Sequence, residues 1–359
     1  MRKLVFFLPG TGSLRAAVRA VRGWRRRLLL AAGAVLLAAT HANADLLING
    51  AGSSFDYTAF TKWREAYSAV EPAMQLNYQS IGSGAGQKQL LNDVVDFGAS
   101  DAPMSDETMA TARGKILHIP VLAGGVAVIY NLPGNPKLKL DGDALANIYL
   151  GNITRWNDPK IARLNPGIIL PDLAVVPVHR ADLSGTSFIL TDYLSAVNRA
   201  WAAGVGKGAS VKWPEGIGLA AKGSEGVSGQ VELISGAIGY AELAYADQNK
   251  IPYADIKNVA GRFVSPTPAS VSAALATVTI PQDFRFSMVN APGDKSYPIS
   301  GVSWVLVYEQ TKDATHAKPL VAFLKWAVTD GQKLSAQLDY APMPQNVQER
   351  ELKLLDSIK

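Results

Sequence analysis

The chain has 359 residues and no cysteine, and its 35 lysines and arginines exceed its 30 aspartates and glutamates by a formal charge of +5. A chain of this length buries enough surface to fold without disulfides, and it is long enough for two domains. The surplus charge lies in residues 1–44, which hold eight bases and no acid. Residues 45–359 therefore have 27 bases minus 30 acids, a net charge of −3, which argues against a nucleic-acid-binding surface there.

The first predicted element is a secretory signal peptide over residues 1–44. Its basic segment precedes an apolar run at 28–40, and small residues at Ala42 and Ala44 then form an A-x-A cleavage site. The apolar run has 13 residues, whereas a membrane-spanning helix needs about 20. A short membrane anchor is the alternative interpretation. We expect cleavage after Ala44 and export to a periplasm as a soluble protein, without a lipid anchor because no cysteine is present.

Strand and helix patterns alternate after the signal peptide. Apolar runs and alternation predict strands, and apolar residues at helical spacing predict helices. In chain order these are a strand at 46–52, a helix at 55–70, a strand at 74–82, a helix at 86–95, strands at 96–100 and 121–131, and a helix at 318–331. This alternation favours an α/β fold with a mainly parallel sheet. The glycine-rich residues 204–239 predict long surface loops.

Three turns rich in glycine, serine and threonine each connect a strand to the start of a helix. They lie at 50–55, 82–86 and 184–187. Backbone N–H groups at a helix start attract anions, glycine lets a ligand approach the backbone, and hydroxyls add donors. One such turn alone is more often an ordinary helix cap. Three of them in one chain favour an anion-binding site.

The stretch 179–188, HRADLSGTSF, allows two interpretations, a hydrolase triad or an anion cradle. His179, Asp182 and Ser184 lie within six residues, whereas triads assemble from distant segments with the nucleophile on a strained turn. No G-x-S-x-G elbow surrounds Ser184. Arg180 offers a planar fork that matches phosphate oxygens, and Asp182 can orient it. The stretch therefore favours binding over catalysis.

Motifs for cofactors and metals are incomplete in this sequence. The turn at 82–86 fails the G-x-G-x-x-G pattern because Gln87 replaces the last glycine, and GVGKG at 204–208 lacks the P-loop spacer. The histidines after the signal peptide, at 118, 179 and 316, have no ligand spacing. We expect no cofactor, no metal and no enzyme activity.

Five segments together resemble the periplasmic phosphate-binding proteins of bacterial ABC phosphate importers. They are NGAGSSF, YQSIGSGAGQKQ, VDFGASDAPMSDE, HRADLSGTSF and GAIGYAELAYA. The resemblance runs from about residue 46 to the C-terminus, which is nearly the whole chain after the signal peptide. It implies a two-lobed, type II periplasmic-binding-protein fold in which each lobe is a mainly parallel sheet flanked by helices, joined by a two-segment hinge. Lobe I would comprise 45–131 plus 299–359 and lobe II 132–298, with phosphate in the cleft between them.

The resemblance also implies the residues that contact phosphate. They are Ser54, Phe55, Ser83, Asp101, Arg180, Ser184, Gly185 and Thr186, and Asp182 would orient Arg180. Two positions depart from the family pattern, since Leu183 stands where glycine is usual and Ser54 where threonine is common. The implied protein is a monomer that binds inorganic phosphate and delivers it to a membrane ABC permease.

Asp101 offers a physical reason for selectivity. Phosphate at neutral pH carries at least one proton, which an ionised Asp101 can accept as a hydrogen bond, whereas sulfate has none to donate. Sulfate would leave two negative groups in contact without a hydrogen bond. Asp101 could instead be a helix cap. Other functions that stay open are a receptor for sulfate or for arsenate, which is protonated like phosphate, a secreted phosphatase, and an adhesion or signalling role.

Overall fold

The computed structural model describes residues 46–359, so the predicted signal peptide lies outside the described residues. The strands are β1 (Leu46–Gly52), β2 (Met74–Ser80), β3 (Phe97–Ser100), β4 (Ile116–Tyr130), β5 (Lys139–Leu140), β6 (Val176–Arg180), β7 (Leu219–Ala221), β8 (Ala237–Glu242), β9 (Asp255–Lys257), β10 (Phe263–Val264) and β11 (Ser300–Tyr308).

The α-helices alternate with these strands along most of the described chain. They are α1 (Tyr57–Tyr67), α2 (Ser83–Leu91), α3 (Asp106–Met109), α4 (Gly142–Tyr149), α5 (Pro159–Leu164), α6 (Gly185–Val197), α7 (Arg199–Gly204), α8 (Gly223–Leu233), α9 (Leu243–Gln248), α10 (Pro268–Leu275), α11 (Ala314–Ala327), α12 (Gln332–Ser335) and α13 (Gln345–Leu355). This confirms the predicted α/β alternation.

Most predicted elements are present, with shifted ends. The strand predicted at 121–131 is the second part of β4, a 15-residue strand that is buried along its whole length. The helix predicted at 86–95 begins earlier, at Ser83, because Gly82 with a φ of 90° makes the turn directly before it. The helix predicted at 318–331 begins earlier too, at Ala314, where Asp313 caps it.

The prediction of long surface loops over 204–239 is wrong for its second half. Residues 205–218 form turns and bends, but α8 and the start of the buried β8 follow. Ser224, Val227, Ser228 and Val231 recur at helical spacing on the buried face of α8. The glycines between them concealed this pattern, because glycine disfavours helix on propensity alone and only tertiary packing stabilises α8.

Eight strands form one sheet in the order β2-β1-β3-β11-β4-β8-β6-β7. On one side β1 pairs in parallel with β3, and on the other β6 pairs in parallel with β7 and β8. The two central strands, β11 and β4, run antiparallel to their neighbours. The long strand β4 changes its partner along its length, since Ile116–Gly125 pairs with β11 and Val126–Tyr130 with β8.

Aromatic side chains pack the β1–β3 side of the sheet against α1 and α11. Phe60 stacks on Tyr78 with ring centroids 4.2 Å apart and on Phe97 at 5.4 Å. Phe323 from α11 completes the cluster, and the indole of Trp63 donates to the Gly331 carbonyl at 3.0 Å. Large buried rings account for much of the hydrophobic free energy of such a core.

Candidate functional site

The predicted site residues lie just beyond the carboxyl ends of the parallel strands. Ser53–Phe55 follow β1, Asp101 follows β3, and the turn before α6 follows β6. Ligands in open α/β sheets bind at this edge, where the strand ends leave a crevice and helix starts point towards it. The sheet order therefore brings together residues from the first third and from the middle of the chain.

Asp101 is the centre of a hydroxyl cluster and is 2% exposed. Its Oδ2 accepts from the Ser53 hydroxyl at 2.7 Å and lies 3.4 Å from the Ser83 hydroxyl, and its Oδ1 lies 2.7 Å from the Ser303 hydroxyl. Burial raises the pKa of Asp101 to about 6, although these hydroxyls and the charge of Arg180 lower it. Ser105 and not Asp101 caps the helix α3, so the helix-cap alternative does not hold.

Gly185 contacts the residues around Asp101 directly. Its N–H donates to the Ser83 hydroxyl at 3.1 Å. A Cβ atom on Gly185 would lie 2.5 Å from Asp101 Oδ2 and 2.6 Å from Ser83 Oγ. In the neighbouring turn the Gly84 N–H donates to the Leu183 carbonyl at 3.0 Å. The turn at 184–187 therefore packs against the turn at 82–86 with no room for a side chain at Gly185.

Arg180 supplies a buried positive charge to the site, with 2% of its side chain exposed. Its Nε and Nη2 donate to the two carboxylate oxygens of Asp182 at 2.8 and 2.6 Å, which confirms the predicted pair. The Gly223 N–H also donates to Asp182 at 3.1 Å. Burial raises the pKa of Asp182, but the hydrogen bonds and charge of Arg180 outweigh it and hold the pKa below its ordinary value. The pair fixes the plane of the guanidinium.

The hydroxyls at the helix starts differ in what they contact. Ser184 caps α6 by accepting from the Ser187 N–H at 3.1 Å. Thr186 is buried, and its Oγ1 has no hydrogen-bond partner within the protein. The Phe55 N–H donates to the Ser53 hydroxyl at 3.0 Å. A buried hydroxyl without a partner is unfavourable unless a ligand supplies one, so Thr186 points to a polar occupant of the site.

A second buried carboxyl, Glu242 at the end of β8, was not among the predicted site residues. The Ser224 hydroxyl donates to it at 2.7 Å, and the Ser54 hydroxyl lies 3.1 Å from that of Ser224. Burial raises the pKa of Glu242 to about 7, while Ser224 and the charge of Arg180 lower it. Glu242 is thus a third acidic group near the guanidinium, after Asp101 and Asp182.

The raised pKa of Glu242 predicts a pH-dependent stability. Between the ordinary value of 4.5 and about 7 the folded protein binds a proton that the unfolded chain has lost, so this group reduces stability as the pH rises through that window. Glu242→Gln should therefore raise the free energy of unfolding of ligand-free protein at pH 8 by about 2 to 3 kcal/mol, with no gain at pH 4.5. Denaturant titration at both pH values measures this change in the free energy of unfolding. Glu232→Gln, at an exposed position in the preceding helix α8, is the control. Equal stability of both variants at pH 8 would contradict the prediction.

Sequence reasoning missed Ser53, Ser224, Glu242 and Ser303 as members of the site. Ser224 was missed because its helix was interpreted as a loop. Ser303 had a signal, since it is a polar residue in the otherwise mainly apolar buried strand β11. The three members of the rejected triad do not contact each other as a triad would, because the His179 ring stacks on Trp213 with centroids 4.6 Å apart.

Two properties of residues 46–359 bear on other functions. Within this range, no three or more histidines, aspartates or glutamates lie together in a way that could hold a metal ion. None of the helices in the same range combines the length and the apolar character that crossing a membrane requires.

Comparison with known proteins gives consistent matches. The family model described as the PBP superfamily domain matches residues 37–331. The phosphate-binding protein PstS of Pasteurella multocida is 43% identical over 304 residues, which cover 84% of this chain and 87% of the relative. The protein of the same name from Xylella fastidiosa is 43% identical over 306 residues, covering 84% of this chain and 82% of the relative.

A solved structure supports the fold. A high-affinity periplasmic phosphate-binding protein, PfluDING, solved with bound phosphate, superposes with a TM-score of 0.70 at 23% identity. The superposition covers 85% of this chain and 92% of that protein. At this identity the likeness concerns the fold, and it confirms the predicted type II periplasmic-binding-protein architecture.

Proposed function

This chain belongs to the PBP superfamily and, within it, to the phosphate-binding proteins, and from that premise we propose that it binds inorganic phosphate and delivers it to a membrane ABC permease. The observation that carries the proposal is one buried arginine and one buried acceptor carboxylate in the same site. Arg180 supplies the charge that a dehydrated anion needs. Asp101 supplies the acceptor that only a protonated anion can use.

We assign the phosphate contacts to the residues that the sequence predicted. Arg180 binds phosphate oxygens through the N–H groups that Asp182 leaves free, and Asp182 orients it. Thr186 offers its unpartnered hydroxyl. The helix starts at Ser83 and Gly185 add donors, with the Gly185 N–H exchanging its contact to the Ser83 hydroxyl for one to phosphate. The remaining proposed contacts are Ser54, Phe55 and Ser184. Asp101 accepts the phosphate proton.

We further propose that the lobes are 45–131 plus 299–359 and 132–298. The partner change of β4 at Gly125 and Val126 supports a boundary in this region. Phosphate closes the lobes because it binds the closed state better than the open one. The permease reads this closure on a monomeric, exported protein without a lipid anchor.

Calorimetric titration of the purified protein, unfolded and refolded to remove bound anion, tests the function. We expect one phosphate to bind tightly and sulfate to give no heat at neutral pH. Sulfate binding as tightly as phosphate would contradict the role of Asp101, and no binding of either anion would contradict the function. Arsenate, titrated in parallel, tests the alternative of an arsenate receptor, which predicts tighter binding of arsenate than of phosphate. Turnover of a chromogenic phosphate ester would instead support the phosphatase alternative.

Gly185→Ala should weaken phosphate binding without unfolding the protein. The added methyl group would lie 2.5 Å from Asp101 Oδ2, so the turn must move away from the site at an expense of about 1 to 3 kcal/mol, roughly ten- to hundredfold in affinity. Gly229→Ala is the matched control, since a Cβ there has no atom within 4 Å. Equal affinities of the two variants would show that this turn and Asp101 do not meet around the ligand.

A further inference from the structure

A further buried carboxyl, Asp56, shares a hydrogen-bond partner with Asp101. Asp56 is fully buried, and its Oδ1 has no hydrogen-bond partner within the protein. Its Oδ2 lies 2.6 Å from the hydroxyl of Ser303. That same hydroxyl lies 2.7 Å from Asp101 Oδ1. Ser303 thus connects two buried carboxyl groups that come from different strand ends.

The hydroxyl of Ser303 has one hydrogen and can donate it to only one of the two carboxyls. Both distances are those of hydrogen bonds, so the other carboxyl must itself carry a proton and donate to Ser303 Oγ. Two ionised carboxylates would leave one of these contacts repulsive in a buried setting. Both hydrogen bonds of Ser303 can therefore form only when one of the two acids, Asp56 or Asp101, is protonated.

The surroundings place that proton on Asp56. Asp101 accepts hydrogen bonds from the Ser53 and Ser83 hydroxyls, and the positive charge of Arg180 favours its ionised form. Asp56 faces the carboxyls of Asp101 and Glu242, and burial first and then the charge of Asp101 raise the pKa of Asp56 well above its ordinary range.

The two tyrosines nearest to these acids offer Asp56 no donor. The hydroxyl of Tyr78 donates to the Ser53 carbonyl at 2.6 Å, and that of Tyr340 donates to the Phe55 carbonyl at 2.5 Å. Burial raises the pKa of both phenols, and the charges of Asp56 and Asp101 also raise it. Protonation is therefore the remaining way for Asp56 to be neutralised.

We propose that Asp56 is held as a neutral carboxylic acid that donates to Ser303, so that Ser303 donates to Asp101 and keeps it an ionised acceptor. Asp56 and Ser303 are then positioning residues for the choice of phosphate over sulfate, and this choice rests on the proposed function. The direction of the hydrogen bonds from Asp56 through Ser303 to Asp101 matters. A protonated Asp101 could donate a hydrogen bond to sulfate and would no longer favour phosphate.

Asp56→Asn tests whether Asp56 is neutral. The amide is neutral at every pH and can donate to Ser303 as the acid does, so the phosphate affinity, the phosphate-to-sulfate ratio and the pH below which affinity falls should match those of the wild type. An ionised Asp56 would instead repel the anion. Its replacement would then tighten phosphate binding about tenfold or more, and this result would overturn the proposal.

Ser303→Ala tests the connection. Asp101 loses one donor, so the fall of phosphate affinity should move to a higher pH, phosphate affinity at pH 7 should drop about tenfold, and sulfate should bind more tightly than to the wild type. Ser300→Ala is the matched control, because it removes a buried hydroxyl from the same strand that donates to the Tyr297 carbonyl instead. Identical affinities and pH profiles of the two variants would overturn the proposal.

Infrared difference spectroscopy of the ligand-free protein keeps this inference separate from the proposed function. The wild type at neutral pH should show the C=O stretch of a protonated carboxyl that is missing from Asp56→Asn. This result does not depend on phosphate binding. A wild type that binds no phosphate would therefore contradict the proposed function but not the protonation of Asp56. Identical spectra of the two proteins would contradict the proposal that Asp56 is protonated, and would leave the proposed function unaffected.

Discussion

Arg180→Met should reduce phosphate affinity about a thousandfold. Removing one partner of a buried, hydrogen-bonded charge pair loses roughly 2 to 5 kcal/mol, and each 1.36 kcal/mol is about tenfold. The effect should be large because the side chain is buried and because Asp182, Glu242 and Asp101 would then face the anion without a compensating charge. Isothermal calorimetry at neutral pH measures the loss.

Two further variants make the arginine result specific. Arg155→Met removes an exposed arginine that pairs with Asp172 at 2.6 Å, and it should bind phosphate like the wild type. Arg180→Lys keeps the charge but not the fork that Asp182 orients, so its affinity should be intermediate. Circular dichroism checks that each variant is folded. A folded Arg180→Met with wild-type affinity would remove Arg180 from the site.

Asp101→Asn should lower the phosphate-to-sulfate affinity ratio by about a hundredfold. The amide loses the negative acceptor for the phosphate proton and gains N–H groups that can donate to sulfate, and each change in a hydrogen bond to a charged group contributes about 1.5 kcal/mol or more. The two changes have opposite signs for the two anions, so the ratio responds more than either affinity. Parallel titrations with phosphate and sulfate give the ratio.

The acid side of the pH profile provides an independent readout for Asp101. Its pKa of about 6 predicts that the phosphate affinity of the wild type falls as the pH drops through 6, because Asp101 then becomes protonated. Asp101→Asn should lack this fall. Asp106→Asn, at an exposed carboxylate that pairs with Arg285, is the control. A ratio for Asp101→Asn that equals the control ratio would contradict the acceptor role.

The local parts of the site were predictable from the sequence, and the long-range parts were not. Arg180 and Asp182 are two residues apart, so their pairing follows from one short stretch. The glycine and hydroxyl turns also carry their own chemistry. Ser303 is 202 residues from Asp101 and 247 from Asp56, and only the sheet order β1-β3-β11 brings them together. No local pattern in the sequence encodes that neighbourhood.

The helix α8 shows why part of the fold was missed as well. Its sequence GSEGVSGQVEL contains three glycines, and the isolated segment has poor helix propensity. It becomes helical because Val227 and Val231 pack on the sheet, where they are fully buried. Ser224 in its first turn reaches Glu242 for the same reason. Tertiary packing decided what local composition could not.

The strand order has a consequence for when the protein can fold. β11, residues Ser300–Tyr308, lies between β3 and β4, which are synthesised about 200 residues earlier. Until β11 is made, the inner edges of β3 and of the first part of β4 have no partner, and such open edges can pair with other chains. Contacts this distant in sequence also form slowly. The β2-β1-β3-β11 half of the sheet is therefore completed only when the chain is almost fully synthesised, whereas the pairs of β8 with β4 and with β6 do not wait for β11.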